Sequence, residues 1–160
     1  MNQFEITLQG LNNGQLQTIN FPCDQDDAAK AICIVSEYGQ HDFEIVDYDA
    51  DFKIDELHVM KLNEIAEMPQ GKYETFISFC EAGLDYKEAH DYVLYYNYMV
   101  YHNAKDMSDV AYQMLQDDVA FQEAPAFMRV HFDYSSYGET LCASGDWFED
   151  TKNNRIILVM

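Results

Sequence analysis

The stretch FEITLQGLNNGQLQTINF, residues Phe4 to Phe21, alternates apolar and polar side chains at Phe4, Ile6 and Leu8. It turns at Asn12-Asn13-Gly14 and returns from Leu16 to Phe21 ahead of Pro22. Period-two alternation beside an Asn/Gly turn predicts two strands. Immediately downstream, Asp24 is placed as an N-cap. Ala28, Ala31, Ile32 and Val35 then share one face of a helix over residues 26–35. Phe43, Ile45 and Tyr48 point to a further strand, whose alternation slips after Ile45. Residues 1–60 therefore read as a small α/β module.

Beyond residue 60 the period changes. Leu62, Ile65 and Ala66 stand at helical spacing and stop at Met68-Pro69. Tyr73, Phe76, Ile77 and Cys80 form a second helical stripe ending at Gly83, and Asp85 opens a short helix through Ala89 and Val93. Short helices on tight connections bury little by themselves, so residues 61–103 read as a compact helical module or as a linker packed between neighbours. A strand is expected from Tyr96 to His102. In residues 104–160, Met107 or Ser108 leads a helix with Val110, Ala111, Met114 and Leu115 on one face. Pro125 fits the first turn of another, carrying Phe127, Val130, His131 and Tyr134 at helical spacing and ended by Gly138. Trp147-Phe148 and Ile156 to Val159 suggest a terminal hairpin around Asn153-Asn154. The expected fold class is α+β, an elongated subunit whose α/β modules flank a short helical one.

Charge bounds the function. The chain has 29 acidic and 9 basic residues, a net charge of −20, yet it is 48% hydrophobic and folds rather than remaining an acidic tail. Small domains stay soluble with a net charge of roughly 2–8 in magnitude, so this excess opposes compaction for some other reason. Acids outnumber bases 12 to 2 in residues 1–60, 7 to 3 in 61–103 and 10 to 4 in 104–160. Direct binding to nucleic acid or an acidic membrane needs the opposite sign, so a partner should be basic. The longest apolar run, Tyr92 to Tyr101, is short and broken by Asn97, well under the roughly 20 residues of a membrane span. Cys23, Cys33, Cys80 and Cys142 form no CxxC, and with no signal peptide they read as reduced thiols of a cytoplasmic protein.

Catalytic and metal readings find little purchase. Asp47, Asp49, Asp51 and Asp55 mimic positions 1, 3, 5 and 9 of a calcium loop, but Phe52 and His58 stand where Gly and Glu are required. The stretch reads instead as a solvated strand exit with Tyr48 and Phe52 packed inward. His41, His58, His90, His102 and His131 fall in no HExxH pattern, and His131, on the apolar side of its helix, reads as buried or interfacial. No nucleophile elbow or phosphate loop is present. Among 29 acids, paired carboxylates arise by chance and say little. The expectation is a protein that is not an enzyme and needs no cofactor or metal.

The segment Phe132 to Leu141 is the densest in rings and turn residues, fitting either the close of a C-terminal core or an interface. Phe132-Asp133-Tyr134, then Tyr137-Gly138 and Leu141, resembles the Asp-Tyr-x-x-Tyr-Gly-Arg-Asp-Leu antirestriction motif of the ArdA family, small acidic DNA mimics carried on mobile elements. Leu11-Asn12-Asn13-Gly14 is similar to that family's first turn, Ile45-Val46-Asp47-Tyr48-Asp49 to its Ile-His-Asp-Tyr-Glu stretch, and Asp109-Val110-Ala111 to its Asp-Val-Ala helix. The similarity covers nearly the whole length. Glu139-Thr140 replaces the usual Arg-Asp, Val46 the usual His, and Leu11 the common Tyr.

The resemblance implies a three-module subunit (1–60, 61–103, 104–160) paired through its C-terminal region into a curved acidic homodimer. That dimer would imitate bent DNA and occupy Type I restriction–modification complexes, blocking restriction and often modification; the charge alone also fits an acidic regulatory or adaptor protein that binds another basic DNA-binding protein. The acidic surface would comprise Asp24, Asp26, Asp27, Glu37, Asp42, Glu44, Asp47, Asp49, Asp51, Asp55, Glu56, Glu64, Glu67, Glu81, Asp85, Glu88, Asp91, Asp109, Asp117 and Asp118. Phe132, Asp133, Tyr134, Tyr137, Gly138, Glu139 and Leu141 would form the motif and dimer surface.

Overall fold

Residues Phe4–Gly10 (β1) and Leu16–Phe21 (β2) pair antiparallel, with Phe4 opposite Phe21 and Ile6 opposite Ile19, in a computed structural model that describes residues 1–37 and 42–160. Phe43–Asp49 (β3) adds antiparallel to the other side of β1, giving the order β2-β1-β3. Thr7 faces Asp47 and Leu8 faces Ile45, so Val46 is an extra residue in β3. This bulge is the physical origin of the slipped alternation. Phe4, Ile6 and Leu8 are buried, and Gln25–Val35 (α1) packs on β1 and β2 through Ala28, Ala31 and Val35.

The chain forms two compact units. The first comprises residues 1–77 and 85–90, the second residues 78–84 and 91–160, so residues 61–103 are divided between both. The first unit adds Val59–Ala66 (α2), most of Gln70–Glu81 (α3) and the start of Tyr86–Tyr95 (α4) to its sheet. Asn63 of α2 accepts from the Cys23 N–H at 2.8 Å and donates to the Cys23 carbonyl at 3.0 Å. The core is aromatic: Phe4 stacks on Phe21 at 5.2 Å, and Phe52 meets Phe4 edge-on at 5.3 Å and Phe76 at 4.9 Å. Burying a ring such as Phe76 contributes about 1.5–3 kcal/mol. The inward position expected for Tyr48 is not found, since the residue is 38% exposed. It lies on an edge strand, while α1 covers chiefly β1 and β2.

In the second unit, Tyr98–His102 (β4), Asp146–Asp150 (β5) and Arg155–Val159 (β6) form an antiparallel sheet of order β4-β6-β5. Asn154 turns the terminal hairpin with φ 50°. One face of this sheet meets Phe79, whose ring lies 6.1 Å from Tyr98 and 5.3 Å from Phe148. The other supplies Tyr101 and Ile156 to a core with Ala104 and with Met107 and Val110 of Met107–Gln116 (α5).

Val119–Glu123 (α6), Ala126–Val130 (α7) and Tyr134–Cys142 (α8) complete the unit. The single helix expected from Pro125 through Tyr134 is two, because Asp133 caps α8 by accepting from the Ser136 N–H at 2.9 Å. A carboxylate cap starts a new helix where spacing alone would continue the old one. Gly138 is likewise not a terminator but the buried middle of α8. The architecture is α+β, with sheets flanking helical regions.

Candidate functional site

The acidic side chains are placed by the ends and edges of these elements. Asp24 caps α1 by accepting from the Asp26 N–H at 2.8 Å, and Asp26 and Asp27 occupy the first turn. Asp85 accepts from the Lys87 and Glu88 N–H groups, at 2.8 and 2.9 Å, at the start of α4. Asp106 and Asp118 cap α5 and α6, and Asp109 accepts from the Lys105 N–H at 2.8 Å. Carboxylates at helix N-termini complete the first-turn N–H groups and meet the positive end of the dipole, at about 0.3–1 kcal/mol each. Much of the negative charge thus sits where a helix gains from it.

Of the twenty acids expected on the surface, Asp42, Glu64, Asp91 and Asp109 are half-buried and the rest are exposed. In the first unit they follow α1 and Glu37, run along β3 through Glu44, Asp47 and Asp49, and continue through Asp51, Asp55 and Glu56 to Glu67 at the C-cap of α2, with Asp85 just before α4 and Glu88 in its first turn. In the second unit they are Glu81, Asp91, Asp109, Asp117 and Asp118. Asp42 accepts from the Glu37 N–H at 2.9 Å and Asn12 Nδ2 at 3.0 Å. The Ser36 hydroxyl and these donors hold its carboxyl below the usual range. Among the described residues Asp150 is the only buried carboxylate, tied to the Asn153 backbone and side-chain amides at 3.1 and 2.9 Å.

Strand register adds a member that sequence reasoning missed. Glu5 lies directly opposite Asp49, Thr7 opposite Asp47 and Gln9 opposite Glu44. Glu5 shares the solvent face of the sheet, because Phe4, Ile6 and Leu8 take the other. Like charges directly opposite one another destabilise a sheet. Alternation alone marked Glu5 as outward, but the partner it repels emerges only from the pairing of β1 with β3.

Some acids have cationic partners. Lys30 meets Asp27 at 3.1 Å, Lys152 meets Glu81 at 2.6 Å, and Lys87 pairs with Glu56. Exposed pairs of this kind contribute about 0–1 kcal/mol. Nine basic residues cannot neutralise 29 acids.

Two of the histidines make contacts within the fold. His58 Nδ1 accepts from the Lys61 N–H at 3.4 Å, and buried His90 meets Glu64 at 2.7 Å. His102 is exposed, and His131 is exposed rather than buried because it lies in the break after α7. His41 lies outside the described residues. The four cysteines are free thiols, and burial pushes the Cys23 thiol up. No three His, Cys, Asp or Glu among the described residues are placed to hold a metal ion. Nor is any described helix long and apolar enough to cross a membrane. A depression of about 490 Å³ beside Glu5 and Asp49 is lined by Met1, Phe4, Phe21 and Pro22.

The ring-rich segment folds into the second unit. Phe132 meets Tyr134 at 5.1 Å and Tyr137 at 5.8 Å, and Phe121 of α6 meets Phe132 at 5.1 Å. Tyr112 of α5 meets Tyr134 at 5.3 Å. Leu141 packs on the core, its carbonyl accepting from Trp147 Nε1 at 2.9 Å. A Cβ on Gly138 would stand 2.6 Å from the Met107 carbonyl oxygen, so glycine lets α8 touch the start of α5. Glu139 remains exposed. The expected stripe is therefore not a face of one helix. Phe127 and Val130 on α7 are 69% and 78% exposed, beside exposed Val119 and Met128 that sequence reasoning did not single out. Their signal is a lack of charge, since residues 119–132 contain only Glu123 and Arg129.

The family model described as antirestriction protein (ArdA) matches residues 7–152. A comparison with curated proteins returns no match. The matched span runs from Thr7 within β1 to just past β5, includes the capped helices and the ring cluster around Gly138, and covers well over half of the sequence. The chain belongs to the ArdA family of antirestriction proteins.

Proposed function

We propose that this antirestriction protein is a DNA mimic that binds a Type I restriction–modification complex and blocks it without turnover. The observation that carries the reading is the solvent face of the first sheet, where Glu5 opposes Asp49 beside Asp47 and Glu44. A fold that keeps repelling carboxylates on a rigid strand pair holds negative charge at fixed spacing, as a phosphate backbone does. A channel lined with Lys and Arg for DNA gains from displacing counterions in the same way. The surface carboxylates from Asp24 to Asp118 contribute jointly, and no single one dominates.

Two copies of a −20 chain repel, so a homodimer needs a face with balanced charge. Residues 119–132 supply one acid, one base and the exposed side chains of Val119, Phe127, Met128 and Val130. Purified protein titrated into a Type I complex should abolish cleavage of unmodified DNA and displace labelled DNA, with affinity falling steeply as salt rises. Normal cleavage with the protein in large excess would overturn the proposal. Sedimentation should show a dimer that Phe127→Asp dissociates; a wild-type monomer at tens of micromolar would remove the dimer from it.

A further inference from the structure

Between Asp91 and Lys105 the chain carries no Asp, Glu, Lys or Arg, and His102 is the one basic ring there, although the sequence holds 29 acids. Five of its 12 tyrosines lie in this interval: Tyr92, Tyr95, Tyr96, Tyr98 and Tyr101. Tyr101 is buried, whereas Tyr95 is 70% and Tyr96 54% exposed. The Tyr96 ring lies 5.0 Å from that of Tyr92, which stacks at 5.4 Å on fully buried Phe79. Tyr96 is thus the surface end of a column of rings rooted in the core of the second unit. A ring held in place before binding loses little freedom on binding.

The surroundings select a cation. Both tyrosines stand at the C-terminal end of α4, whose last turn carries no basic residue. A helix C-terminus bears roughly half a negative charge. A flat ring and a negative helix end together suit a planar guanidinium, which stacks and donates at once. A compact, strongly hydrated ammonium fits the same place less well.

We infer that Tyr95 and Tyr96 form an arginine-binding surface that anchors the partner after long-range charge attraction has brought it close. The inference rests on the proposed function, in which the partner presents a basic, DNA-binding surface.

The test uses labelled oligoarginine and oligolysine peptides of equal length, titrated with the full-length protein and followed by anisotropy. Carboxylates alone give some preference for arginine, so the quantity read is the ratio of the two affinities in each variant. The ratio should fall about fivefold in Tyr95→Ala/Tyr96→Ala and stay at the wild-type level in Tyr95→Phe/Tyr96→Phe, which keeps both rings. Tyr95→Ala alone, which leaves the rings of Tyr96, Tyr92 and Phe79 in place, should show part of the fall. An equal ratio in all of these proteins would overturn the inference. Because the probes are peptides, the result is independent of restriction inhibition: arginine selectivity without inhibition would refute the proposed partner and leave this surface standing.

Discussion

Gly138 shows how one missing methyl group joins two helices. Its α-carbon approaches the Met107 carbonyl so closely that any side chain must push α8 away from α5. Gly138→Ala should therefore cost about 1–3 kcal/mol, the usual range for overpacking, read as a lower urea midpoint. Gly71, near the start of α3, has nothing within 4 Å of its would-be Cβ. Gly71→Ala should be neutral or stabilise by up to about 1 kcal/mol. If both substitutions gave equal losses, close approach would not explain Gly138. Nothing in the linear order of residues announces that role. Gly138 sits four residues after Tyr134 like any helix terminator, and Met107 is 31 positions away.

At the scale of the element, caps decide more than periodicity does. The strands are readable because Phe4, Ile6 and Leu8 alternate without exception, and even the bulge at Val46 leaves a trace in the slip after Ile45. The helix from Pro125 is misleading because Phe127, Val130, His131 and Tyr134 satisfy helical spacing across a real break. The signal that marks the break is Asp133 followed by Tyr134-Ser135-Ser136, an N-cap with its N3 amide in reach. If capping is its main task, Asp133→Ala should destabilise the protein by about 0.5–2 kcal/mol, while Asp133→Asn, which keeps the acceptor, should lie within a few tenths of wild type. Equal losses in thermal or urea unfolding would assign Asp133 to charge rather than capping. The amount and the sign of the charge are legible, since composition suffices for that. Which acids oppose one another is not, because it depends on strand register.

Across the whole molecule, 29 acids against 9 bases make repulsion between carboxylates the main electrostatic influence on stability. Salt shortens the range of that repulsion, to about 10 Å at 0.1 M and 3 Å at 1 M. The urea midpoint should therefore rise with sodium chloride, opposite to the fall of partner affinity. Glu5→Lys, which places a cation opposite Asp49, should stabilise the fold by about 0.2–1 kcal/mol and flatten its salt dependence, while weakening inhibition. A midpoint indifferent to salt in both proteins would mean that the carboxylates stand too far apart to repel. Under the proposed function, the opposition of Glu5 and Asp49 would also make the first sheet a sensor of occupancy. A bound cationic surface acts as the missing counterion, so binding should tighten the very strands that carry the charge. Backbone amides of β1 and β3 should then exchange hydrogen with solvent more slowly in a complex than in the free protein, with β2 changing least.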